Sequence, residues 1–340
     1  MDQLIPSLEA LLAPFAVAFR QEVFRVFCST VGAWIVCLGR RTISRVWETT
    51  GQSETRNHAS AFRLFSAAAW NWDEVCAILA LAVVAQLVPG MWIWVVLGDC
   101  AYVGQHLLRG REANVEVIGP IRWDAALSEP LAPGTAGRRK KGAPLPTPAQ
   151  MLANDRRWPA QDLVIRFPKG KRRLRVKVVK DVCWYHAAGS QTVQWVLIRD
   201  PQGEWRDEAL LSTDQTLTPQ EVITGYCRRW SAEVAFCDSK QMLGFHDPQV
   251  WCAKSVARAA PMSWFIGSLV VLWYVIAGHE GEQAQRHRPW YRHKPQPTFA
   301  DMLGACRLHL WRHWLSEGRG SRADLEAKWA WLLEYLATSA

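Results

Sequence analysis

At 340 residues the chain is long enough for two domains, and 49% hydrophobic residues with 20 tryptophans exclude a disordered protein, because so apolar a chain repays its ordering entropy. The formal net charge of +9 favours a polyanionic partner, either nucleic acid or an anionic membrane surface. Nine cysteines, an odd number without a CxxC pair, argue against a disulfide framework and fit a reduced intracellular chain.

In chain order, residues 1–88 read as helices, from the spaced apolar positions of LEALLAPFAVAFRQEVFRVF and ASAFRLFSAAAWNWDEVCAILALAVVAQL. The N-terminus lacks the basic start and small-residue cleavage site of a signal peptide, so cytoplasm is the expected location. The apolar run Val75–Gly98 is broken by Pro89-Gly90 into halves too short to span a bilayer. From Met91 the pattern changes: MWIWVVLGD and NVEVIGPIRW read as buried strands of a parallel or mixed sheet.

Residues 128–160, rich in Pro, Gly and Ala, read as a surface loop carrying the basic run Arg138, Arg139, Lys140 and Lys141. A second basic run, with Lys171, Arg172 and Arg173, leads into the alternating strand LRVKVVKDVC. QTVQWVLIRDPQGEWRDEALLST then reads as a hairpin turned at Asp200–Gly203. Both basic runs are expected to track DNA phosphates, although a charge run is commonly just a solvated face.

Thr218-Pro-Gln-Glu221 marks a helix start, with a capping threonine, proline in the first turn and the reciprocal glutamate, and Gly244 is its expected stop. The run Pro261–Gly278 reads as a buried core helix; a small membrane protein using both apolar runs is the competing reading. A basic loop at 286–294 and two closing helices near 298–315 and 321–337 complete the chain. The tryptophans at 92, 94, 230, 264 and 273 are expected in the core.

Tyr226, Arg229, Glu233 and Lys240 are spaced by three, four and seven residues, which on one continuous helix puts all four on one face. A phenol, two cations and a carboxylate together suit a phosphodiester held against a metal, while an ordinary Arg/Glu helix pair is the plain alternative. The same four residues, within CRRWSAEVAFCDSKQMLGF, resemble the Tyr-Arg-Glu-Lys signature of bacterial insertion-sequence transposases of the DDE class. VVLGDCAYVG around Asp99 resembles that group's second-aspartate motif, and the segments from VIGPIRWDAAL to WVLIRDPQGEWRDEALLSTD resemble what it carries before the glutamate.

The resemblance implies an α/β, RNase H-like core with a β-rich insertion, and DNA cutting and joining assisted by two Mg²⁺ ions, with Mn²⁺ as substitute. Asp99 and Glu233 would be the catalytic metal ligands, and Tyr226, Arg229 and Lys240 would hold DNA. The expected partners are the terminal inverted repeats of the element and further copies of the chain on that DNA. The parts would be a helical region at 1–88 for DNA-end binding, the first part of the core at 89–127, the basic loop and insertion at 128–215, and the glutamate helix with closing helices at 216–340.

The family's first aspartate has no counterpart at a strand end upstream, where only Asp2 and Asp73 occur. An RNase H-like core needs three strands and a helix there, roughly 40 residues, yet only one strand fits before Asp99. The expectation is an incomplete core left by an internal deletion joining MWIWVV to LGDCAYVG, and two carboxylates are too few to fix a metal pair. Asp99 as first and Asp124 as second aspartate is an alternative, Asp238 a weaker one, and a turn role after Gly98 the plain reading of Asp99.

Overall fold

The structure, a computed structural model, describes residues 4–49, 57–87, 94–132, 141–167, 170–279, 296–316 and 322–338. The chain forms two compact units, residues 1–89 with 233–340 and residues 90–232.

The helical unit begins with α1 (Pro6–Leu12), a 3-10 turn at Ala13–Ala18, α2 (Gln21–Val36), α3 (Ile43–Thr49), α4 (Ala59–Ser66) and α5 (Trp72–Leu87). The described residues of 1–88 form these helices and the short links between them, with no strand, as their periodicity predicts. Phe15, Phe27, Trp34 and Phe65 are fully buried, and Phe15 meets the ring edge of Phe265 at 5.3 Å. α5 differs: it is apolar along its length yet buries only Val75, and Leu81 is 70% exposed.

The second unit is built on a sheet containing β1 (Trp94–Leu97), followed by α6 (Gln105–Arg109), β2 (Val115–Pro120), α7 (Pro148–Ala153), β3 (Gln161–Phe167), β4 (Gly170–Cys183), β5 (Thr192–Arg199), β6 (Glu208–Ser212) and α8 (Pro219–Cys227). The six strands lie in the order β1-β2-β6-β5-β4-β3, with β1 and β2 parallel and every other pair antiparallel. Ile118, Val196, Ile198 and Leu210 pack with Val222 and Ile223 of α8; Val117, Trp195, Leu197 and Leu211 pack on the other face with Leu108 of α6 and Met151 and Leu152 of α7. Burial on both faces explains why these strands read as continuous apolar runs.

Three expectations need correction here. β1 is an edge strand, leaving Val95 46% and Val96 36% exposed, because among the described residues its backbone pairs only with β2. The segment 128–160 is not loop throughout: Thr147 caps α7, its side chain accepting from Gln150 N while Gln150 returns a bond to Thr147 N. β3, with the sequence QDLVIRF, pairs with β4 along its full length. The insertion is also continuous with the sheet of β2, through pairing of Gly119 with Leu211.

α9 (Trp230–Met242) returns the chain to the helical unit, followed by α10 (Ala253–Trp273), a π turn at Tyr274–Gly278, α11 (Phe299–Ser316) and α12 (Arg322–Thr338). Gly244, at φ 65°, stops the chain after α9 in a conformation glycine adopts without strain. Arg258 of α10 is buried, lies 4.3 Å over the Trp70 ring, and donates to the carbonyls of Leu64, Phe65, Ala68 and Trp70. It thereby satisfies carbonyls in the last turn of α4 and in the segment just after it. By length and composition Ala253–Gly278 could cross a membrane, but 56% of its most apolar window is buried within the chain. The basic loop at 286–294 lies outside the described residues.

Candidate nucleic-acid interface

α8 starts as its sequence predicts: the Thr218 hydroxyl oxygen accepts from Glu221 N at 3.3 Å, and a Glu221 carboxylate oxygen accepts from Thr218 N at 2.8 Å. These bonds hold the Glu221 carboxyl below the usual carboxylate range. The helix then breaks. Arg228 N and Arg229 N donate to the carbonyls three residues back, Gly225 and Tyr226, at 2.9 and 3.0 Å, and Ser231 and Ala232 repeat the pattern.

This tightened turn separates α8 from α9, so Tyr226, Arg229, Glu233 and Lys240 do not share one face of one helix as expected; the rotation per residue is larger across it. What survives is pairwise. The Arg229 guanidinium lies 5.6 Å over the Tyr226 ring, and burial pushes the Tyr226 phenol up. Glu233 stands in the first turn of α9, where the helix dipole favours a carboxylate, and Lys240 in its last turn, 4.1 Å over the Phe236 ring.

Tyr226 and Arg229 open onto a cleft of about 810 Å³ whose other walls include Phe167, Lys171, Arg172, Trp205 and Trp230, with Glu204 as a carboxylate among them. Trp205 meets the Phe167 ring edge-on at 4.7 Å, and the Arg172 guanidinium lies 4.7 Å over Trp205. Arg172 also pairs with Asp200 at 3.4 Å and Glu204 at 2.6 Å, so its charge is largely committed within the protein. Lys171 and Arg173 are exposed and make no ion pair with any described residue. Trp230, expected in the core, is 61% exposed. Flat aromatic faces beside cations can stack bases and hold phosphates.

Of the first basic run, Lys141 is exposed and lies 5.8 Å from the centre of the Tyr185 ring, while Arg138, Arg139 and Lys140 lie outside the described residues. Sequence reasoning missed Phe167, Trp205 and Trp230 as cleft walls. The signal for Trp205 was its place just past the Asp200–Gly203 turn, where a large apolar side chain has little core to enter.

Asp99 follows β1 within the unit of residues 90–232, whereas Glu233 belongs to the helical unit. The carbonyl of Asp99 accepts from Tyr102 N and Val103 N, and its Oδ1 accepts from Ala101 N at 2.9 Å, so this carboxylate also shapes the turn after the strand. Asp124 pairs with Arg122 at 2.7 Å in an exposed position, which holds its carboxyl low. Burial pushes the Asp238 carboxyl up. Carboxylate oxygens at 99 and 233 suit Mg²⁺ as donors, yet among the described residues no three His, Cys, Asp or Glu side chains come together as a ligand set. No family model and no curated protein matches the chain.

Proposed function

We propose that this chain is an insertion-sequence transposase of the DDE class that binds DNA through the cleft of Tyr226 and Arg229, in an RNase H-like core that is incomplete. The observation that carries the reading is the contact between Tyr226 and Arg229 at the mouth of a cleft lined by cations and exposed aromatic rings. The parallel pair β1–β2, with Asp99 directly after β1 and a long antiparallel arm before α8, supports the core assignment. Among the described residues β1 pairs only with β2, and it spans the junction of MWIWVV with LGDCAYVG, which supports the loss of two strands of such a core at that point.

In this reading the Arg229 and Lys171 charges hold the DNA backbone, and Trp230 and Trp205 offer stacking faces. Mg²⁺ would supply activation of the attacking oxygen if bound by Asp99 and Glu233. The second reading is a DNA-binding remnant without strand cleavage, which the cleft of Tyr226 and Arg229 would serve equally.

A nicking assay on supercoiled plasmid carrying inverted-repeat ends, in Mg²⁺ and in Mn²⁺, separates the two. Cleavage abolished by Glu233→Gln supports the enzyme; salt-sensitive binding without cleavage supports the remnant. Absence of both would remove the proposal.

A further inference from the structure

The cleft of Tyr226 and Arg229 carries an anion of its own. Glu204, in the exposed turn between β5 and β6, places Oε2 2.6 Å from Nη2 of Arg172, while Nη1 of the same guanidinium lies 3.4 Å from Asp200 Oδ2. The two carboxylates are anchored differently. The Asp200 side chain is 2% exposed and accepts the Gln202 and Trp205 N–H groups at 2.9 and 3.0 Å, so it belongs to the turn. The Glu204 side chain is 58% exposed, and among the described residues Arg172 is the one ion-pair partner of its carboxylate.

Arg172 thus has one fixed anion and one that rotation of an exposed side chain can remove. The Trp205 ring, 4.7 Å from the guanidinium, holds that group in place whether or not Glu204 is there. An exposed ion pair is worth at most about a fivefold change in an equilibrium, little enough for a phosphate to replace it. The carboxylate is nevertheless tethered, at an effective concentration on the order of millimolar, so a phosphate on a small molecule meets a competitor already in position. A polymer differs. Its neighbouring phosphates reach Lys171 and Arg229 at the same time, and those contacts outweigh one weak pair.

We propose that Glu204 is a specificity residue of this cleft: it occupies Arg172 against mononucleotides and is displaced only by polymeric DNA. The proposal rests on the DNA-binding half of the reading above and requires no cleavage. Glu204 acts through Arg172 and makes no contact with DNA itself.

The test uses the full chain with Glu204→Gln, and with Glu112→Gln, an exposed carboxylate of the same unit outside the cleft, as a control of equal charge change. Binding of a fluorescent DNA duplex is measured by anisotropy at low salt, alone and against deoxyadenosine monophosphate at millimolar concentration. Glu204→Gln should tighten duplex binding about three- to fivefold beyond Glu112→Gln. The mononucleotide should displace duplex from this variant and leave the wild type bound. In an Arg172→Gln background, with folding checked by circular dichroism, Glu204→Gln should change neither quantity, a cancellation that a general loss of negative charge would not give. Equal behaviour of Glu204→Gln and Glu112→Gln overturns the role of Glu204 and leaves the DNA reading intact, as does equal mononucleotide competition against wild type and Glu204→Gln. Duplex binding by Glu204→Gln alone supports the proposal in a stricter form. No duplex binding by any of these proteins removes the DNA reading and the role of Glu204 with it.

Discussion

The Arg229 guanidinium sits 5.6 Å from the centre of the Tyr226 ring, across the tightened turn that separates α8 from α9. Two side chains that sequence spacing makes neighbours on one helix face remain neighbours although the helix ends between them. The phenol ring thus helps orient the guanidinium toward the cleft.

Arg229→Ala is therefore expected to lower affinity for duplex DNA and to reduce the slope of log affinity against log salt by about 1. Tyr226→Phe keeps the ring face and should leave that slope unchanged. Anisotropy titrations across a salt series distinguish the two; a Tyr226→Phe slope as shallow as that of Arg229→Ala would assign the phenol oxygen its own phosphate.

Arg258 fastens α10 to α4 and the segment after it, with four carbonyls as acceptors and Trp70 beneath it. Arg258→Leu removes this donor from the Phe65, Ala68 and Trp70 carbonyls, while Leu64 O keeps the Trp70 Nε1 donor, a loss of about 2–3 kcal/mol in unfolding free energy. Urea denaturation followed by tryptophan fluorescence measures it, and an unchanged midpoint would mean water replaces the guanidinium.

Asp200 anchors the hairpin beneath Trp205. The Gln202 N–H at 2.9 Å foremost, then the Trp205 N–H at 3.0 Å and the Arg172 charge, hold its carboxyl below the usual range. A carboxyl that is more acidic in the folded chain stabilises it above the unfolded pKa, about 3.9, and loses this as pH falls through the lower folded value. Asp200→Asn should therefore unfold more easily than wild type at pH 7, and the gap should close as pH drops below about 4. Denaturant midpoints at pH 7, 5 and 3 test this; a gap that widens in acid would contradict it.

The exposed edge at β1 is a template for pairing with other chains. Val96→Lys places a charge there, on a residue 36% exposed. Aggregation of the purified protein, followed by light scattering against concentration, should begin at a higher concentration in this variant. Identical onset in both proteins would locate the sticky surface elsewhere, α5 with its exposed Leu81 being next.

Local signals carried what depends on a few neighbouring residues. The capping threonine at 218, the Asp200–Gly203 turn, the helical period of 1–88 and the strand ahead of Asp99 were all legible, because each rests on bonds within one or two turns of chain. The box at Thr147 was equally local and was hidden only by the Pro- and Gly-rich composition around it. Tertiary structure alone decided the rest. Whether β1 is central or an edge depends on which strands lie beside it, and Arg258 reaches a carbonyl 190 residues away, at Ala68. In the same way Arg41 and Arg307 become a pair only because α2 and α11 pack so that both find the Cys37 carbonyl. A charge in a sequence shows its sign; its partners, and hence its chemistry, are set by distant backbone that folding brings within about 3 Å.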